Sequence, residues 1–266
     1  TTPAPTTIPP TTAEPITCYP SGGDLYWDKV SLLIQSDVPE TGYTNFYDKS
    51  TNHHTVTNSG NTAHRHNNNR FGRSSIEFDG NQDWLTVKPQ ENNSTLSLEK
   101  DDFTIETWAK INPNNISSQG GHHTLFSKYG ADQNSEYSLY VTHDDGGGFL
   151  RFQASTGDES GSVEVTSITG DLNDDKWHHL AVTRENNVIR LFIDGKMDVE
   201  TSFPYHILPN DEFLKIGNFY NDHYPNWHNL RGSLEEVRLT KGVARYTKDF
   251  VDELQDDLFC AYAATI

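Results

Sequence analysis

From Asp24 onward, clusters of Gly, Asn and Asp cut the chain roughly every ten residues, and the runs between them are short, apolar or alternating. No other feature constrains the fold so tightly, because runs of that length hold one strand each and none carries helical periodicity over three turns. The runs predict strands at residues 30–34, 75–78, 84–87, 103–110, 124–128, 137–142, 149–154, 163–168, 178–184, 188–193, 213–217 and 234–239. Within 188–193, Ile189, Leu191 and Ile193 point one way and Arg190 the other, the alternation of a half-buried strand. Arg184-Glu-Asn-Asn-Val188 and Ile193-Asp-Gly-Lys196 read as hairpin turns, since Asn and Gly tolerate positive φ. A short helix is expected over 249–258, where Phe250, Val251, Leu254 and Leu258 could share a face. The fold class is therefore all-β, a two-sheet antiparallel sandwich, and with no second core the body at 24–262 is one domain.

Thirty-eight acidic side chains against twenty basic give a formal charge of −18. That field repels phosphate backbones and excludes nucleic acid as the expected partner. No apolar run approaches the roughly 20 residues needed for a membrane span.

Residues 1–20 differ in kind. Seven Thr and five Pro fill the first seventeen positions, in pentads that open Thr-Thr and close on Pro. Pro fixes φ and restricts the residue before it, so this arm is expected as extended polyproline II. Its hydroxyls at Thr1, Thr2, Thr6, Thr7, Thr11 and Thr12 are candidate O-glycan acceptors. A Thr/Pro rod has no apolar face with which to order itself, which leads us to expect it docked on the next subunit of an assembly. Three sequons place N-glycan candidates at Asn92, Asn93 and Asn115. Cys18 and Cys260 bracket the body. Either they pair, closing a loop worth roughly 5 kcal/mol in an oxidising compartment, or they are two unrelated thiols.

Several stretches resemble one family when taken in order: Ser75-Ile-Glu-Phe-Asp79 through Val87, Phe103-Thr-Ile-Glu-Thr-Trp108, Leu125-Phe-Ser-Lys128, Lys176-Trp-His-His-Leu-Ala-Val-Thr-Arg184, Leu191-Phe-Ile-Asp-Gly-Lys196, Leu214-Lys-Ile-Gly217 and Gly232-Ser-Leu-Glu-Glu-Val-Arg-Leu239. They look like the laminin-G-like, concanavalin A-like jelly rolls related to pentraxins. Thr240-Lys-Gly-Val-Ala-Arg-Tyr246 is similar to the variant found in viral and phage appendages. The resemblance spans about Trp27 to Phe250 and implies two antiparallel sheets of six or seven strands. It also implies that His178-His179 are structural.

Relatives of this fold that hydrolyse glycans carry Glu-x-Asp-x-x-Glu on one strand, where alternate side chains share a face. No such string occurs here, and Glu235-Glu236 are adjacent and face apart. A Gly-x-Ser-x-Gly elbow is absent too, and Gly146-Gly147-Gly148 reads as a turn. A concanavalin-like glycoside hydrolase is therefore the weakest of three readings. Calcium fits better, because it takes oxygens from loops. Asp132, Asn134 and Glu136 form one candidate set. By resemblance to pentraxin-type modules, that loop is partnered by the one carrying Asn218, Asn221 and Asp222. Asp48-x-Ser50-x-Asn52 forms another, to which Asp37 or Glu235 could add oxygens, against the plain reading that such residues populate turns. His64-x-His66 could chelate a metal, with no third ligand assignable. In the loop at 219–228, Tyr220, Tyr224 and Trp227 could stack on sugars or anchor a neighbouring subunit.

The reading favoured by the arm is a non-catalytic structural subunit of an extracellular or virion-surface glycosylated filament, assembling head to tail. The alternative is a carbohydrate-binding adhesion module on a glycosylated stalk.

Overall fold

The computed structural model describes residues 24–66, 68–89, 93–114, 121–130, 135–142, 147–156, 161–219 and 228–251. The Thr/Pro arm, Cys18, Cys260, Asn92, Asn115, Asp132, Asn134, Tyr220, Asn221, Asp222, Tyr224 and Trp227 lie outside these residues, as does the expected helix beyond Val251.

Fifteen strands run through the described residues: β1 (Val30–Ile34), β2 (Thr55–Ser59), β3 (Ala63–Arg65), β4 (Ser75–Asp79), β5 (Trp84–Lys88), β6 (Phe103–Ile111), β7 (His122–Tyr129), β8 (Ser135–Thr142), β9 (Leu150–Ser155), β10 (Ser162–Thr166), β11 (Trp177–Glu185), β12 (Val188–Ile193), β13 (Lys196–Ser202), β14 (Leu214–Ile216) and β15 (Arg231–Lys241). They form two antiparallel sheets. One runs β13-β12-β11-β6-β15-β4-β3, with β1 also paired to β15; the other runs β10-β9-β8-β7-β14-β5-β2.

The pleat explains the packing. In β6, Phe103, Ile105, Ala109 and Ile111 enter the core, where they meet Leu125, Leu139, Val141 and Phe152 of the facing sheet. The two expected hairpins are present. Asn186 and Asn187 stand at φ 49° and 65°, and Asp194 and Gly195 at 50° and 74°, the left-handed pairs that tight hairpins need. Asp249–Val251, in contrast, is not helical. Phe250 instead packs with Tyr246 on Phe192 and Ala181, covering part of the outer face of the eight-stranded sheet.

A charged cluster lies beside that cap. Glu106 accepts from Arg238 Nε at 2.8 Å and from the Tyr246 hydroxyl at 3.0 Å, and it lies 3.1 Å from His179 Nε2. Burial alone would raise its carboxyl, but Arg238, His179 and Arg245 overcome that and hold it far below the usual range. Arg245 also grips Asp24 through its two terminal guanidinium nitrogens, at 2.9 and 2.6 Å. The first described residue and the last strand's exit are thereby locked together.

Candidate functional site

Beyond this cap, the outer face of the eight-stranded sheet is hollowed where β3, β4, β15 and β6 lie side by side. Register puts Ala63, Glu77, Ser233 and Lys110 in one row across these four strands, continuing to Trp177 on β11. Ala63 and Ser233 are small and Gly232 has no side chain, so the row sinks between longer neighbours. In β4, Ile76 and Phe78 are buried in the core, which turns Glu77 and Asp79 outward together.

Two adjoining hollows result, and Glu77 and Asp79 line both. The larger, about 450 Å³, is completed by Gly42, Thr44, Gly60, Asn61, Arg65 and Asp83. The smaller, about 220 Å³, is completed by Asn68, Lys110, Asn112, Asp175 and Arg231 among others. Gly42 and Thr44 reach the groove because their segment lies along β3: the Gly42 amide donates to the His64 carbonyl and the His64 amide to the Tyr43 carbonyl. Tyr43 is 38% exposed, and Tyr47, further along the same segment, 62%.

Hydrogen bonds fix the walls. Asp83 is fully buried beneath the larger hollow and accepts the amides of Asn61 (2.5 Å) and Asp79 (2.7 Å), its pKa raised by burial. Asn61 Nδ2 in turn donates to Asp79 at 3.2 Å. Arg65 lies 3.4 Å from Glu77. On the other side, Lys110 Nζ donates to Asn68 Oδ1 at 2.9 Å, and Asn68 Nδ2 to Ser233 Oγ at 2.7 Å. The groove thus presents carboxylates, amides, a hydroxyl and cations of both fixed and adjustable geometry. Such a set complements a ligand rich in hydroxyl groups.

Glu77-x-Asp79-x-x-Gln82 is the nearest approach here to the hydrolase string, with a glutamine at the third acidic position.

The sites expected from sequence fall elsewhere. Glu136 is not placed as a loop ligand: it is fully buried, 2.7 Å from Lys128 Nζ, and also accepts from Ser97 Oγ and the Leu98 and Asn210 amides. Asp48 is likewise taken up, accepting the amides of Leu33, Ser50 and His54 and the Ser50 hydroxyl. It clasps a loop to β1, so both described carboxylates are taken up by protein donors. Asp37 and Glu235 accept main-chain amides of a separate loop. His64 faces Phe46 and Ser36 while His66 reaches the Val38 carbonyl, so the two do not converge. Among the described residues no group of three or more His, Cys, Asp or Glu could hold a metal. His178 and His179 are held by Asp194 and Glu106, a structural role. Asn93 opens a short 3-10 turn, Asn93–Thr95.

Fold and groove together define a jelly-roll module with a polar cleft on one sheet. Residues 79–244 match the laminin G model described as the concanavalin A-like lectin/glucanases superfamily, and the chain belongs to that family. Among solved structures, the binding domain of Paraclostridial Mosquitocidal Protein 1 superposes with a TM-score of 0.62 at 16% identity, over 83% of this chain and 50% of that one. The binding domain of botulinum neurotoxin serotype D gives 0.57 at 13%, over 86% and 50%. A botulinum neurotoxin type C structure, reported with cell entry dependent on two ganglioside molecules, gives 0.60 at 16%, over 88% and 51%. At these identities the likeness is one of fold, and the chain spans about half the length of these structures. No curated protein matches the sequence. Among the described residues no helix is long and apolar enough to cross a membrane.

Proposed function

We propose that this chain is a carbohydrate-binding module acting outside the cell or on a virion surface, and that it takes an oligosaccharide in the groove across β3, β4, β15 and β6. The observation that carries this reading is the cross-strand row Ala63–Glu77–Ser233–Lys110, hollowed by small residues and walled by Arg65, Asp79, Asn68 and Arg231. Sugar hydroxyls are both donors and acceptors, and this wall offers both along its length. The superfamily's lectins and the ganglioside-dependent toxin of similar fold support the ligand class. We read this as binding without hydrolysis, because the Glu-x-Asp-x-x-Glu string is absent: in Glu77-x-Asp79-x-x-Gln82 a glutamine stands at the third acidic position.

A printed glycan panel tests the proposal. The full-length chain should bind a defined subset of oligosaccharides, and Arg65→Ala and Asp79→Ala should each weaken that binding about tenfold, as expected when one or two charged hydrogen bonds are lost. A flat response across the panel rejects it.

Head-to-tail assembly through the arm rests on residues 1–20 alone. Electron microscopy of the full-length and arm-deleted chains tests it separately: filaments from the first and none from the second would establish the arm as a connector. Calcium, if it serves the module, would be held by Asp132, Asn134, Asn221 and Asp222, and a calcium titration of thermal stability tests that.

A further inference from the structure

One wall of the groove is a loop. Residues 68–73 lie over β6 and β15, and Glu235 holds them there. This carboxylate is 2% exposed and sits opposite Trp108 in register. The Arg70 amide donates to one of its oxygens at 2.5 Å and the Phe71 amide to the other at 3.0 Å. The Arg70 guanidinium lies 4.7 Å over the Trp108 ring, and Phe71 meets the same ring edge-on at 5.5 Å. At the loop's far end the Arg73 amide donates to Asp37 at 2.8 Å. Asn68 is the loop residue that lines the groove, bridging Lys110 and Ser233.

Burying a carboxylate is costly unless its partners are specific. The hydrogen-bond partners of Glu235 are two successive main-chain amides of this loop, so the loop's position is what the buried group secures. We infer that Glu235 is a positioning residue of the glycan groove: it sets where Asn68 stands over Ser233 and Lys110, and so sets the affinity of the site. This role rests on the glycan reading above.

The charged groups facing Glu235 are Glu236 on its own strand and Arg70 on the loop. Burial, helped by Glu236, pushes its carboxyl up to about 8 against the pull of the two amides and Arg70. In the acid form one oxygen carries the proton and accepts poorly. Once ionised, both oxygens accept, and the grip on the loop tightens.

The test uses the full-length chain from pH 6 to 9, with a ganglioside headgroup oligosaccharide as probe and amide hydrogen exchange at 68–73 as a second readout. Wild type should bind three- to tenfold tighter as pH passes about 8, a change the size of one hydrogen bond. Glu235→Gln should bind weakly with a flat pH profile, and the Arg70 and Phe71 amides should exchange faster. Asn68→Ala should lose the same affinity with exchange at Arg70 and Phe71 unchanged. If Glu235→Gln fails to fold, Asn68→Ala and the wild-type pH series carry the test. Unchanged exchange in Glu235→Gln overturns the clamp. Faster exchange with wild-type affinity and pH profile overturns the positioning role. Wild type that ignores both the probe and every member of the glycan panel sinks the glycan reading and this role with it; the exchange data tell that failure apart from failure of the clamp.

Discussion

Lys128 and Glu136 face each other at 2.7 Å with no solvent access to either side chain, and Ser97 and Asn210 satisfy what remains of their hydrogen bonding. Removing one partner strands the other charge, so Glu136→Ala should cost about 3–5 kcal/mol in urea denaturation. Lys128→Met should cost a similar amount, and the double replacement much less than the sum of the two. Gly60 is a second position where one atom matters. At φ 65° a Cβ would stand 2.2 Å from Asp83 Oδ1, inside the carboxylate that holds Asn61 and Asp79. Gly60→Ala should therefore lower the melting temperature and weaken oligosaccharide binding together, checked by a thermal scan and a titration on the same sample. From sequence, Glu136 and Asp48 looked like loop oxygens, because a residue's type and spacing say nothing of the donors that distant segments bring to it.

Among the elements, β15 carries the least ordinary chemistry. It bulges between Glu235 and Arg238, with Glu236 at φ 52°, and it pairs with β1, β4 and β6. Burial pushes Glu235 up to about 8 and Glu236 to about 7, whereas free Glu titrates near 4.3. The folded chain therefore keeps protons that the unfolded chain releases. That contribution is present below about pH 4.5 and is lost as pH rises toward 8. Asp24 and Glu106 work the opposite way: their carboxyls are held low, and their contribution is lost in acid. Thermal stability should peak near pH 5 and decline toward pH 8, and Glu235→Gln with Glu236→Gln should flatten the alkaline decline. A melting series in matched buffers checks this.

All twelve expected strands overlap strands of the structure, because their apolar alternation faces a core. β2, β3 and β13 were not legible: Thr55–Ser59 and Lys196–Ser202 are outermost strands, mostly polar and exposed, and Ala63–Arg65 is too short to show a period. The groove was illegible for a different reason. Glu77 and Asp79 belong to one alternating strand, but Arg65, Lys110 and Arg231 come from strands far apart in sequence, and only sheet order brings them together.

At the scale of the molecule, the chain closes on itself. Asp24, held by Arg245 and Arg238, brings the entry of the sandwich beside its exit, as a bond between Cys18 and Cys260 would require. If that bond forms, reduction should lower stability by about 5 kcal/mol at most and shift gel mobility; Cys18→Ala should do the same, and a reductant should then have no further effect. The two faces of the sandwich carry different equipment. The seven-stranded sheet stacks Tyr140, His122 and His228 on its outside, while the eight-stranded sheet holds the polar groove. Amide shift mapping with the tightest-binding oligosaccharide of the panel distinguishes them directly. Perturbations should centre on Arg65, Glu77, Asp79, Asn68 and Lys110. Perturbations gathered instead around His122 and Tyr140, with the groove silent, would contradict the account.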